Sequence, residues 1–514
     1  MHLSHSLGSA ALLVALSTLA TIMTPAEAAK KATASKQLTD CLKPLGSKVI
    51  TSSMSAYDKQ RYAFDLRFDY KPDVIIMAKS ASDIQTAVKC AKDANVPVTP
   101  RSGGHSFEGY CVGGQDGALV IDLAGLGSVK VDKAKGTAKV GSGVRLGKLY
   151  LELYKQGGYT INAGTCPSVG IGGHALGGGF GLLSRKKGLL IDSIVEMEVV
   201  DANGKLLKVN AKDNKDLFYA LRGAGGGSFG VVTSFTIVPF KPADKVTSFT
   251  YDWKISDHEK VLKAYVNYQA SASRDVGVEM NVGPSGLELY GIFQGRKKDL
   301  KAALAKFLDN APPPNGNDIR ETKQIEAQLR FAFINGAGEK DIEALELKSP
   351  YKAGDSRYTK GKSLVYPSAL KPSTIKLLGK WGAKTPKGST ANYIIVDLWG
   401  GAVKDVSASD TSFIHRDAHT VFEFVVEWDQ SSNPKPGKAD CKDCLKWMDD
   451  MYAEFLADYK NYSDTVRGYQ NYIDLAIPNW QQAYYGEALP RLKEIKSSVD
   501  PSNVFRFPQS IPLK

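Results

Sequence analysis

The sequence predicts an α+β protein of two domains, and three observations predict it. A chain of 514 residues is too long for one compact core and suits two. Short β-branched strands alternate with amphipathic helices up to Phe240, and PFKPADK then interrupts with the breaker composition of a boundary before both patterns resume. At 43% hydrophobic and 23% charged residues, the composition is that of an ordinary folded globule.

The first 28 residues read as a secretory signal, with an apolar run from Ala10 to Ile22 and Ala26-Glu27-Ala28 as an A-x-A site before Ala29. The n-region departs from the pattern by lacking lysine and arginine. No later segment approaches the roughly 18 uninterrupted apolar residues of a membrane span. Secretion is therefore expected, and it makes Asn461-Tyr462-Ser463 a glycosylation acceptor. Residues 29–69 form an N-terminal helical segment. In order after it, DVIIMAKS, VPVTPRS, ALVIDLA and TAKVGSG read as strands, and ASDIQTAVKCAKDA and RLGKLYLELYKQG as amphipathic helices. LLIDSIVEMEVVDANGKLLKVN alternates around an Asn-Gly turn and suggests a hairpin. Beyond the boundary, VTSFTYDWKI and VEMNVGPSGLELYGIFQG carry strand patterns, and HEKVLKAYVNYQ and DLKAALAKFLDN carry helical ones. A tail from Pro478 holds the helix ALPRLKEIKSSVD and a Pro-rich ending. The formal charge of +12 is spread over scattered lysines with no basic stripe interleaved with aromatics, which describes a solvated surface and not a nucleic-acid site.

Two glycine-rich stretches carry the chemistry. RSGGHSFEGY centres His105, and GTCPSVGIGGHALGGGFG has Cys166 near its start. Each sets one nucleophilic side chain in a backbone stripped of Cβ atoms, as close approach to a bulky flat cofactor requires. The plainer alternatives are a turn histidine and a small buried cysteine. Gly225-Gly226-Gly227-Ser228-Phe229-Gly230 satisfies G-x-G-x-x-G, but it follows a helical pattern and precedes a strand. A dinucleotide site needs the opposite order, so this is not a Rossmann fingerprint. Cys441 and Cys444 form a C-x-x-C that could be a zinc half-site, a redox pair or a local surface disulfide. With no second C-x-x-C and no thioredoxin-like βαβ around it, the disulfide is preferred.

From Tyr70 to Phe240 the chain resembles the FAD-binding domain of the vanillyl-alcohol oxidase superfamily, and within it the fungal carbohydrate oxidases of the berberine-bridge-enzyme-like group. The resemblance rests on R-S-G-G-H, G-T-C-P-x-V-G, the G-G-H-A-L-G-G-G-F-G run, GLLIDSIVEMEVVDANG and DLFYALRGAGGGSFGVVTSF. It implies a PCMH-type FAD-binding domain over 70–242, and a substrate domain of antiparallel sheet backed by helices over 243–475. A berberine-bridge-like segment over 476–514 would return to the FAD domain. It further implies a bicovalent FAD, its 8α-methyl carbon on His105 and its C6 on Cys166. Phosphate contacts are implied for the loop Arg101, Ser102, Gly103, Gly104 and Ser106, and for the run Gly172, Gly173, His174, Gly177, Gly178, Gly179, Phe180 and Gly181. Val169 and Ile237 are further cofactor-binding positions, with valine at 169 accompanying access of oxygen in the family. The resemblance also pairs Cys41 with Cys90; with Cys166 on the flavin and Cys441 bonded to Cys444, Cys111 would be left free.

RGYQNYIDLAIPNW matches the family's Y-x-N-Y-x-D segment, which places Tyr472 as the catalytic tyrosine and Tyr469 beside it on the same face. YIIVDLWGG aligns Asp397 with the carboxylate that accepts from that tyrosine. The residue-level alternatives are a core tyrosine in an edge strand and an aspartate closing a turn. A neighbouring carboxylate raises a tyrosine's pKa, so the expected device is a relay in which Asp397 takes the phenolic proton while Tyr472 takes the substrate's. Trp399, Tyr393 and Tyr469 are candidate substrate contacts, with Trp480, Tyr484 and Tyr485 as further aromatics, each equally explicable as core. The expected activity is oxidation of the reducing-end C1 hydroxyl of an oligosaccharide to a lactone, with O2 reduced to H2O2. The expected state is a monomer with no nucleic-acid, membrane or metal partner. Oxidation of a specialised metabolite or aromatic alcohol is the second reading, and a flavin-fold binding protein without turnover is the third.

Overall fold

The computed structural model describes residues 24–334, 336–338, 340–347, 356–429 and 435–514. Residues 1–23 of the expected signal lie outside the described residues, and its last four open the helix Pro25–Leu42, capped by Thr24 and Glu27.

Three sheets build the molecule. The first has the order Val49–Thr51, Val74–Met77, Leu119–Asp122, Val98–Arg101, and its last three strands are parallel. Those strands are short apolar runs because both faces are covered. The helix Ala81–Asp93 starts at a Ser80–Asp83 capping box and buries Ile84, Ala87, Val88 and Ala91. A disulfide ties it to the helix Pro25–Leu42 through Cys90 and Cys41, Cα atoms 5.6 Å apart.

The second sheet is antiparallel, in the order Val129–Asp132, Thr137–Gly141, Val231–Ile237, Ile194–Val200, Leu206–Asn210. The expected hairpin is its last pair, turning through Gly204 at φ +71°. The third is a seven-stranded antiparallel sheet: Gly316–Thr322, Val246–Trp253, Gly286–Phe293, Val276–Gly283, Ser389–Leu398, Thr420–Trp428, Tyr358–Tyr366. Alternation decides which way each of its residues faces. Val278, Met280, Val282, Ile394, Val396, Phe422 and Phe424 join one core with the helices His258–Tyr268, Lys297–Leu308, Pro372–Gly382 and Lys442–Tyr459. The intervening Glu279, Asn281, Tyr393, Ile395, Glu423 and Val425 line a cleft against the first two sheets.

Side chains clamp the third sheet to the glycine loops. Arg416 forks onto Asp192 at 2.8 and 2.7 Å, Arg185 donates to the Trp399 carbonyl at 2.9 Å, and Trp399 stacks on Phe180 with ring centroids 4.8 Å apart. The tail returns through the helix Leu489–Val499. Buried Lys496 there donates to the carbonyls of Ser228 and Phe505 at 2.8 and 2.7 Å and pairs with Asp500. Cys441 and Cys444 are disulfide-bonded at the start of the helix Lys442–Tyr459, but the bridge is buried in the helix-backed core and not at the surface. Cys111 is unpaired.

Candidate active site

The cleft has a volume of about 1140 Å³, above the roughly 300–1,000 Å³ of most small-molecule sites, so it can take a large cofactor together with a substrate. The two glycine loops form one wall. A Cβ on Gly103 would stand 2.1 Å from the Gly170 backbone nitrogen, so the loops meet main chain to main chain. Ser102 fastens them by donating to the Ser142 carbonyl at 2.6 Å and accepting from the Gly172 N–H at 3.2 Å. Gly173 faces open space, and Gly225 and Gly226 meet nothing nearer than 3.6 and 3.7 Å. Beside them the Gln470 Oε1 is buried without a hydrogen-bond partner. An open glycine wall with an orphaned polar atom fits a bulky planar and phosphorylated group.

His105 stacks on Phe64 at 4.2 Å, and its Nε2 lies 2.9 Å from Ser168 Oγ. Burial, followed by the charges of Arg145 and Arg357, pushes this imidazole down to about 3, so it is neutral. The same Ser168 Oγ lies 3.3 Å from Cys166 Sγ, and Cys166 is exposed to the cleft. His174 accepts from the Gly164 N–H at 3.0 Å and is held neutral by burial, at about 4. Gly104, Ser106 and Val169 also line the cleft.

The opposite wall is the seven-stranded sheet with the segment 469–474 laid across it. Tyr472 stands on a 3-10 turn, Gln470–Tyr472, and not on an edge strand. Asp474 anchors that turn by accepting from Lys360 at 2.6 Å and Lys362 at 2.8 Å, and Lys360 also pairs with Glu108. The carboxylate whose charge acts most on Tyr472 is Glu423, ahead of Asp397. Burial, then the charge of Glu279, pushes Glu423 up to about 8, and burial pushes Glu279 up to about 7 while it accepts from Tyr290. Tyr472 is raised well above the usual phenol range by burial, then by Glu423 and Asp397.

Several expectations are corrected here. Strand register sets Asp397 opposite Glu279 and Val421, its Oδ1 is buried with no hydrogen-bond partner, and its charge, like that of Glu423, raises Tyr472. Trp399 is fully buried under Phe180 and does not line the cleft, whereas Tyr393 does. Tyr469 touches the cleft but spends its hydroxyl on the N–H groups of Gly179 and Phe180, at 3.1 and 3.3 Å. The two tyrosines stand three positions apart on a turn, so strand alternation does not apply to them. Tyr484 is buried against Asp474, Trp480 packs on Tyr485, and Tyr485 alone of these three lines the cleft. Arg101 lies behind the loop, ion-paired to Asp122 at 2.7 Å, and Ile237 is core of the second sheet. Gly177, Gly178, Gly179 and Gly181 are glycines because Asn471, Phe413, Leu190 and the Ala163 carbonyl press on them, and only Phe180 of 177–181 reaches the cleft. Gly225–Gly227, set aside as a dinucleotide motif, does line the cleft, between a helix and a strand as its flanks predict. Asn461 is exposed just past the helix Lys442–Tyr459.

Residues 72–210 match the family model for an FAD binding domain, and residues 468–512 match that for berberine and berberine-like proteins. The xylooligosaccharide oxidase of Thermothelomyces thermophilus is 32% identical over 92% of this chain and 93% of its own. The chain belongs to the berberine-bridge-enzyme-like FAD-linked oxidoreductases. Among solved structures, BBE-like 1 of Physcomitrella patens superposes with a TM-score of 0.83 at 34% identity, covering 93% of this chain and 99% of that one. Glucooligosaccharide oxidase of Acremonium strictum, described by its 6-S-cysteinyl, 8α-N1-histidyl FAD, gives 0.82 at 29% identity over 93% and 99%. The chain is an FAD-linked oxidoreductase, and the glycine-walled cleft has the volume for that cofactor. Among the described residues, no helix is long and apolar enough to cross a membrane.

Proposed function

We propose that this protein is a secreted oxidase that converts the reducing-end C1 hydroxyl of an oligosaccharide to a lactone, with O2 reduced to H2O2, on an FAD bonded to His105 and Cys166. The carrying observation is one cleft with two nucleophiles on its glycine wall and a tyrosine set among buried carboxylates on the wall facing it. A bound FAD supplies the acceptor for two electrons and passes them to dioxygen.

The chain's own part is proton handling and orientation. Loss of a hydride from C1 requires that the C1 hydroxyl also give up its proton, and the acceptor must lie within hydrogen-bond reach. The Tyr472 phenolic oxygen takes that proton as its own passes to the ionised Glu423 carboxylate. Asp397 belongs to the same buried acidic cluster: burial, then the charges of Glu279 and Glu423, push its carboxyl well above the usual range, and its own charge raises Tyr472. The Lys360–Asp474–Lys362 network fixes the turn that aims Tyr472. The cleft mouth suits a sugar chain: Phe333 is 64% exposed there and meets Tyr290 edge-on at 5.9 Å, while Asn281, Glu288 and Arg357 offer hydrogen bonds between aromatic faces.

The test is peroxide release on cello-, malto-, chito- and lacto-oligosaccharides beside a set of aromatic alcohols. Turnover on at least one sugar series is expected. Silence on every sugar with turnover on the alcohols would contradict the substrate class, and no flavin reduction by any compound would contradict an active oxidase.

A further inference from the structure

The two loops that carry His105 and Cys166 meet at a third side chain. Ser168 Oγ lies 2.9 Å from His105 Nε2 and 3.3 Å from Cys166 Sγ, so one hydroxyl touches both nucleophiles. We propose that Ser168 is the positioning residue for flavin attachment, orienting both nucleophiles and receiving the proton that His105 releases. This rests on the reading that FAD is bonded to His105 and Cys166.

The wiring follows from hydrogen-bond capacity. A serine hydroxyl has one O–H to donate and two lone pairs to accept with. The buried His105 ring is neutral, so one of its nitrogens carries hydrogen and the other a lone pair. When Nε2–H donates to Ser168 Oγ, the lone pair is left on Nδ1, and stacking on Phe64 fixes the plane in which it points. The serine O–H is then directed at Cys166 Sγ, which it holds in place at 3.3 Å beside the cleft. Local chain geometry supports this. Ser168 sits in the turn closed by the Val169 N–H on the Cys166 carbonyl at 3.4 Å, which sets the serine–cysteine contact, while the contact to His105 spans 63 residues and registers one loop on the other.

The attachments balance as oxidations. An N–C or S–C bond forms, the nucleophile's N–H or S–H bond breaks, and one C–H bond of the flavin breaks. For each attachment two electrons pass through the flavin ring to dioxygen, which leaves with two protons as hydrogen peroxide. The proton from His105 Nε2 departs by way of Ser168 Oγ, and the one from Cys166 Sγ departs into the open cleft, to which Cys166 is exposed.

Purified wild type, Ser168→Ala and Ser168→Thr are compared, and Ser168→Ala is repeated in the Cys166→Ala and His105→Ala backgrounds, which isolate each bond. Protein is sampled over time under air with added FAD and denatured, and covalent FAD per chain is read by intact mass. Loss of a hydrogen bond to a reactive group is worth about tenfold or more in rate. Ser168→Ala is expected to slow attachment by about that factor in both backgrounds, and Ser168→Thr to restore it. Attachment by Ser168→Ala at the wild-type rate in both backgrounds would overturn the proposal. So would a Ser168→Thr variant that melts like wild type yet attaches no faster than Ser168→Ala, because a packing role alone would then be left. A wild type whose FAD is wholly lost on denaturation would instead overturn the bicovalent reading, and the proposal with it.

Discussion

On the proposed mechanism, Glu423 sets the pH behaviour of the site. A carboxyl pushed up to about 8 by burial and by Glu279 is neutral at lower pH and cannot receive the phenolic proton of Tyr472. Flavin reduction at saturating sugar is therefore expected to rise with pH to a plateau above about 8, and Glu423→Gln is expected to remove that rise. Stability moves the other way. An unfolded glutamate titrates near 4.5, so between that value and the raised folded ones, about 7 for Glu279 and about 8 for Glu423, the folded state holds more protons and loses stability as pH climbs. Thermal unfolding of Glu423→Gln at pH 8 and above should come at a higher temperature than wild type. A lower one would contradict the buried, proton-holding glutamate. His105 and Cys166 were legible because each stands in a local glycine pattern. Glu423 was not, since EFVVEW shows only a polar residue in an apolar strand, and its meeting with Tyr472 depends on register against a turn 49 residues later in the numbering.

At the scale of elements, the helices and strands were readable wherever period and caps agreed, as in the Ser80-capped helix Ala81–Asp93 and the hairpin through Gly204. The end of the strand Ser389–Leu398 was harder. An aromatic next to a catalytic motif reads equally as a sugar platform or as core, and burial under Phe180 decides for core. Trp399→Ala is expected to cost about 3–5 kcal/mol in unfolding, while Trp399→Phe, which retains a ring, should leave KM for the best sugar unchanged. A large KM rise in Trp399→Phe with unchanged melting would return the residue to the substrate. The glycine run teaches the same lesson. Seen alone, 177–181 resembles a cradle for phosphates, but most of its glycines make room for Asn471, Phe413, Leu190 and the Ala163 carbonyl, so the run is glycine-rich for the protein's own packing.

At the scale of the molecule, the site exists only because the seven-stranded sheet folds over the flavin-binding part. The Arg416–Asp192 fork, the Phe180–Trp399 stack and the Lys360–Asp474–Lys362 network cross that junction or brace it. The two-domain division was visible in composition, yet contacts such as Lys360 with Glu108 join residues 252 apart, and no local pattern announces them. On the proposed function, the proton-handling wall comes from one part of the chain and the tether from the other. That separation makes one measurement decisive: rapid anaerobic mixing of the Tyr472→Phe variant with a saturating oligosaccharide substrate, with covalent FAD checked by mass. Flavin reduction is predicted to slow by about 10²–10⁴-fold while covalent FAD equals that of wild type. Reduction at the wild-type rate with the flavin in place would contradict the assignment of the site.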